Sequence, residues 1–198
     1  MAGYKAGNGK TFIDGHEAEH GKRIRIPQYS IHILAVTAVS AEAFDLPPER
    51  NALISCTGRV TPSLKRCGQN HILILPFPDV EDPQYAGAFG GAHARAILRF
   101  LEELPETVTD LYVCCSKGGS RSPAVAAALL RISGRSDREV WENPCYVPNT
   151  LVYYCLCREA GIPISWEDVW GRKQKNDEAF RNVQNGEPCR YERWQILE

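Results

Sequence analysis

Cys115 and Arg121 stand six positions apart, with Ser122 next, in the stretch Asp110-Leu-Tyr-Val-Cys-Cys-Ser-Lys-Gly-Gly-Ser-Arg-Ser-Pro-Ala124. In a chain with eight cysteines that spacing alone arises easily by chance, so its setting carries the weight. A thiol ends an apolar run, a short loop with two glycines follows, and a helix starts at once. Such a loop aims a nest of backbone N–H groups at one point, which suits a dianion. The groups that would hold it are those of Ser116, Lys117, Gly118, Gly119, Ser120 and Arg121. Arg121 adds a planar fork for two anion oxygens, and the glycines let the backbone come close. The same positive field would lower the pKa of Cys115. A thiolate beneath a bound phosphate is a nucleophile for phosphorus, and Ser122 is placed to donate to the sulfur as it leaves.

Positioning such a thiol takes a strand, a tight loop and a helix in succession, and the rest of the chain repeats that grammar. Short apolar runs bounded by turn residues at 31–36, 52–56, 71–75 and 110–114 predict buried strands. Helical spacing and caps predict helices over 88–104, 121–132, 136–142, 149–160 and 165–183. Ser136 and Asn149 are expected N-caps. The predicted class is α/β, with a central, mainly parallel sheet of about four to five strands flanked by helices. Ligands in such sheets bind at the carboxyl ends of strands, which is where the loop after Val113 falls. The predicted organisation is a polar N-terminal arm over 1–30, a folded domain over 31–184 and a C-terminal tail over 185–198.

The 198 residues are 43% apolar and 24% charged, with 23 basic against 24 acidic side chains and a net charge of −1. That balance gives no global electrostatic case for a nucleic-acid or membrane-surface partner. The longest apolar runs, Ala124 to Leu130 and Leu151 to Cys157, are seven residues each, far short of the roughly 20 a membrane span needs. The early residues hold no apolar stretch like a signal-peptide core, so the expectation is a soluble, cytoplasmic chain. The cysteines form no CxxC pair and are expected to be reduced, most of them as buried small hydrophobes. His16-Glu-Ala-Glu-His20 matches the zinc-protease pattern, but glycines bracket it and no third ligand follows convincingly, so a solvated segment is expected. Gly3 to Thr11 mimics a nucleotide P-loop with its first glycine one residue early and no strand before it, so an ATPase is rejected.

The Cys115 segment resembles the signature loop of the cysteine-dependent protein phosphatases, the tyrosine and dual-specificity superfamily: a cysteine, five residues, an arginine, then serine or threonine. The run Ile31 to Val36, the strand ending Ile54-Ser-Cys56 and the segment Ile74-Leu-Pro-Phe-Pro-Asp-Val-Glu-Asp82 are similar, in order, to the strands and acid loop of compact members. The resemblance covers roughly residues 31–161 and implies a tyrosine-phosphatase-like fold. It implies hydrolysis of phosphomonoesters through a phosphocysteine, with no metal and no other cofactor. The implied partner is a phosphorylated protein or a small phosphomonoester, phosphotyrosine first, with dual specificity as the wider case. One residue departs: histidine usually precedes the nucleophile, orienting the loop and tuning the thiolate, and here Cys114 stands there.

In that family a general acid lies before the helix that leads to the catalytic strand, a stretch holding Asp79, Glu81 and Asp82. Asp79 is preferred because it directly follows the strand and the Phe77-Pro78 pair, with Asp82 as the alternative. Asp82 before Pro83 also fits a helix cap. The resemblance further offers Cys56, at the end of the neighbouring strand, as a redox partner for Cys115, while simple packing of a strand-end thiol accounts for it equally well. Asn149 is placed in the scaffold behind the loop, outside the site, and His93 in a packing role. Two other classes stay open: a phosphate-binding protein without turnover, motivated by Cys114, and a rhodanese-like or arsenate-reductase-like cysteine enzyme. Ser122 and the acid loop favour the phosphatase.

Overall fold

Four runs of β-branched and aliphatic residues become parallel strands: β1 Ser30–Ala35, β2 Asn51–Ser55, β3 Ile72–Ile74 and β4 Asp110–Cys115. The computed structural model describes residues 24, 26–36, 48–58, 71–189 and 196–197. The motifs at His16 to His20 and Gly3 to Thr11 lie outside them. The sheet order is β3-β2-β4-β1-β5, where β5 is Ile196–Leu197, antiparallel to β1. The α/β class with a mainly parallel sheet is therefore the observed architecture. Residues read as a tail thus return to close the sheet edge beside β1.

β4 sits in the centre and is buried at all six residues. The period of two splits it between two faces. Leu111, Val113 and Cys115 join Ile31, Ile33, Ala52, Ile54 and Cys56 in the main core, and Tyr112 and Cys114 join Val36 and Leu53 in a smaller one. Register fixes Val113 opposite both Ile33 and Ile54, so the three central strands end together beside Cys115. Each fully buried Ile or Leu contributes roughly 1.5–3 kcal/mol, which makes this register costly to slip.

Helices α1 (Gly91–Glu102), α2 (Arg121–Ile132), α3 (Arg138–Glu142), α4 (Thr150–Glu159) and α5 (Trp166–Gln184) follow the sequence pattern. α1 buries Ala94, Ile97, Leu98 and Leu101, one stripe at helical spacing. It starts three residues later than expected because Gly90 caps it: Gly90 N–H donates to His93 Nδ1 at 3.2 Å. α2 is buried on nearly every side, and its alanines let it lie close to α4 and the sheet. Pro123 falls in its first turn, where the missing N–H is harmless. α4 is capped by Asn149, whose side chain accepts from Val152 N–H at 3.0 Å. It ends at Gly161 with φ +72, a left-handed turn that favours glycine.

α3 begins at Arg138 with Asp137 as N-cap, not Ser136. The Asp137 carboxylate is drawn inward, accepting from Tyr153 Oη and, at 2.8 Å, from Arg172 Nε. Ser136 Oγ instead accepts from Arg138 N–H at 3.3 Å. α5 opens with a reciprocal cap between Ser165 and Asp168. Before β1, Ile26 and Tyr29 are already buried, and Tyr29 Oη donates to Leu101 O at 3.5 Å. Among the described residues no helix is long and apolar enough to cross a membrane.

Candidate active site

Cys115 ends β4, and the chain turns through Ser116–Ser120 into α2. Gly118 has φ +68, the left-handed conformation that lets the loop curl over the thiol. Cys115 Sγ receives Ser122 Oγ at 3.2 Å and backbone N–H groups of Lys117, Ser120 and Ser122. Burial pushes the thiol up, but these donors outweigh it, and the net pKa lies below the ordinary 9.0. Of the loop N–H groups expected to hold an anion, those of Lys117 and Ser120 converge on the sulfur, joined by that of Ser122.

Arg121 is held rigidly beside it. Nη1 donates to Cys56 O and Phe77 O, both at 2.8 Å, and Nη2 donates to Ser116 Oγ at 2.9 Å. Its guanidinium lies 5.9 Å from the Phe77 ring centre, and Phe89 packs edge-on against that ring. Nε is buried with no hydrogen-bond partner and stands 3.8 Å from Asp79 Oδ2. Buried donors are nearly always paired, so this one marks a place for an acceptor.

The three carboxylates of the acid loop separate cleanly. Asp79 Oδ1 accepts from Ser120 Oγ at 2.8 Å and from Asn149 Nδ2 at 3.0 Å, which brings the carboxylate to the loop and leaves Oδ2 toward Arg121. Glu81 accepts from Thr150 N–H at 2.8 Å, supporting the start of α4. Asp82 accepts from Gln84 N–H at 2.9 Å and closes a local turn with Tyr85 N–H on its carbonyl. Asp82 therefore caps an isolated turn. It does not cap the helix expected after Pro83, which starts only at Gly91.

Asn149 caps α4 and lies behind the loop as expected, and it makes one contact the sequence did not announce, to the 79–80 segment. Besides capping α4, its Nδ2 donates to Asp79 Oδ1 and Val80 O, and its N–H reaches Ser120 O at 3.3 Å. Val147 N–H donates to Gly119 O at 2.7 Å. Segment 143–149 thus braces the 116–120 loop from behind. The signal in the sequence was an asparagine between a proline and a helix, which announces a cap and nothing of the acid loop. His93 stays in packing, stacked on Phe89 at 5.4 Å.

Cys56 follows β2, is fully buried, and its N–H donates to Cys114 O at 2.8 Å. Burial, then the field of Cys115, pushes its thiol well up. Cys114 is buried on the opposite face, against Val36, Leu53 and Tyr112. Burial also pushes Cys157 up to about 12 and Cys155 up to about 11, so neither thiol ionises near neutrality. Among the described cysteines, Cys145 and Cys189 are exposed, while Cys56, Cys114, Cys115 and Cys157 are buried, in keeping with the expectation for most of them. Lys117 is exposed on the loop. Among the described residues no group of three or more His, Cys, Asp or Glu side chains could hold a metal ion.

No protein-family profile matches the chain, and no curated protein matches it. Among solved structures, the crystal structure of Tk-PTP in the active form is similar at 18% identity with a TM-score of 0.40, over 79% of this chain and 95% of that one.

Proposed function

We propose that the protein hydrolyses phosphomonoesters through a phosphocysteine on Cys115, as a protein-tyrosine or dual-specificity phosphatase. The observation that carries this reading is the combination of a Cys115 thiol with lowered pKa and, six residues on, an Arg121 whose buried Nε makes no hydrogen bond and faces Asp79 Oδ2 at 3.8 Å. A phosphate resting on the loop would take Arg121 Nε and Nη2 as a fork and the backbone N–H groups of 116–121 as a cradle. Cys115 attacks phosphorus, and the bond to the leaving oxygen breaks as Asp79 gives that oxygen a proton. The ionised Asp79 then takes a proton from water, which attacks the phosphocysteine and releases phosphate. Ser122 Oγ donates to the departing thiolate, at the 3.2 Å already present. The chemistry uses no metal and no cofactor.

Phosphotyrosine in protein is the leading substrate class. Val147, half exposed and bonded through its N–H to the loop at Gly119, is an apolar side chain next to that loop which an aromatic ring could meet. Turnover of p-nitrophenyl phosphate, competitively inhibited by vanadate, tests the reading. Arg121→Lys should lose both, because a point charge cannot replace the fork. Vanadate binding without turnover would support a phosphate-binding protein, and sulfur transfer from thiosulfate a rhodanese-like enzyme.

A further inference from the structure

Helix α5 carries more apolar side chain than the described protein covers. Trp166 stacks on Tyr154 at 4.1 Å, Val169 is fully buried, and Asn176 is buried with Nδ2 on the carbonyls of Asn143 and Tyr146. These positions define the inner stripe of the helix. At the same spacing the stripe continues to Phe180 and Val183, which are 46% and 36% exposed.

Two clefts of about 360 and 350 Å³ lie end to end along this helix beside α3, meeting at Arg138, Glu142 and Lys175; Val183 is the stripe residue that lines the first, and together they are called the groove. Beyond Asn176 its floor is Pro144, Ala179, Val183 and Pro188. Gly171 lines the other end, in the middle of a helix, where an added Cβ would meet nothing within 4 Å. Glycine costs a helix about 1 kcal/mol against alanine, and packing gives no reason for it here.

The rim is acidic. Arg138 pairs with Glu142 at 2.6 Å and Arg172 with Asp137 at 2.8 Å, which cancels four charges. Glu167, Asp168, Glu178 and Glu187 remain against Lys175 alone, in a chain whose net charge is only −1. A second copy meeting this face through its own would set acids against acids. An extended peptide suits the shape: α5 from Glu167 to Gln184 spans about 25 Å, the length of about eight extended residues.

We propose that this groove docks a basic, partly aliphatic segment of a partner polypeptide. Lysines or arginines meet the acidic rim, and an aliphatic side chain covers the Val183 floor. Pro144 lines the groove, and Val147 and Asn149 of the same 143–149 segment bond to the loop after Cys115, so the docked segment lies a few residues from that loop's support. Docking does not depend on turnover.

The test uses the full chain and a fluorescein-labelled peptide of alternating lysine and leucine, with a glutamate–leucine peptide as control. Anisotropy should report binding of the basic peptide alone, weakened about tenfold or more by added salt and by the pair Glu178→Lys and Glu187→Lys. Because Cys189 is exposed and lines the groove, the basic peptide should also slow its alkylation in the unmodified protein, read by mass spectrometry. Equal affinity of both peptides, unchanged affinity in a folded charge-reversed variant, or unchanged alkylation of Cys189 would overturn the proposal. So would a dimer of the unmodified chain that the same substitutions dissolve, since a second copy would then be the occupant.

Discussion

Asn149 Nδ2 donates to Asp79 Oδ1 across 3.0 Å, so the residue that caps α4 also holds the carboxylate facing the 116–120 loop. The two are 70 positions apart, and Ser120 Oγ reaches the same oxygen at 2.8 Å. The Asp79 segment, the 116–120 loop and the helix cap are therefore one hydrogen-bonded unit.

Cap and latch separate by substitution. Asn149→Ala loses both and should cost about 1 kcal/mol in urea unfolding as well as activity. Asn149→Ser keeps an acceptor for Val152 N–H but is too short to reach Asp79. It should unfold within about 0.5 kcal/mol of the unmodified protein and still lose turnover of alkyl phosphates. Full activity in Asn149→Ser would mean that the latch is idle.

The partition of the three carboxylates sets their expected effects. Asp79→Asn should lower kcat about 100-fold or more for poor leaving groups, and less for p-nitrophenolate, which needs little proton assistance. Asp82→Ala should change local stability through the 82–85 turn and leave the leaving-group dependence intact. A steeper dependence in Asp82→Ala than in Asp79→Asn would exchange their roles.

The pH profile follows the sulfur. The thiolate is the reactive form, and the Cys115 thiol lies below 9.0, so kcat/KM should rise with pH through that lowered value before an ordinary thiol would ionise. Ser122→Ala removes one of the donors that lower it and should move this acid limb to higher pH. A limb that stays in place would show that the backbone N–H groups suffice.

Oxidation supplies a separate outcome. Peroxide converts the Cys115 thiolate to a sulfenic acid, and attack by the Cys56 thiol would form a disulfide with loss of water. Cys56 is close enough for the charge of Cys115 to raise its pKa. Peptide mapping should find the Cys56 to Cys115 link, and Cys56→Ser should send Cys115 on to sulfinic acid. Sulfinic acid in the unmodified protein, without that link, refutes the pairing.

The strand–loop–helix unit at Cys115 is legible in the sequence because its geometry is local. A strand end, a glycine at φ +68 and a helix start lie within seven residues, and each is announced by its residue types. The parallel sheet is legible for a similar reason, since each buried strand is a bounded apolar run. What joins distant segments is not. Nothing near Asn149 announces Asp79, because the contact arises only once α4 is laid behind α2. Nothing near Asp82 tells an isolated turn from a helix cap, because Gly90 and His93 start the helix further on. The pair Ile196–Leu197 is too short to carry a period, and its strand exists only because β1 offers an edge.

The central claim is the covalent role of Cys115, and acid quenching of the protein during turnover of a labelled phosphomonoester tests it most directly. Label is expected on the peptide containing Cys115, in an iodine-labile S–P linkage, with neither label nor turnover in Cys115→Ser. Undiminished turnover in Cys115→Ser, or label on another residue, would contradict it.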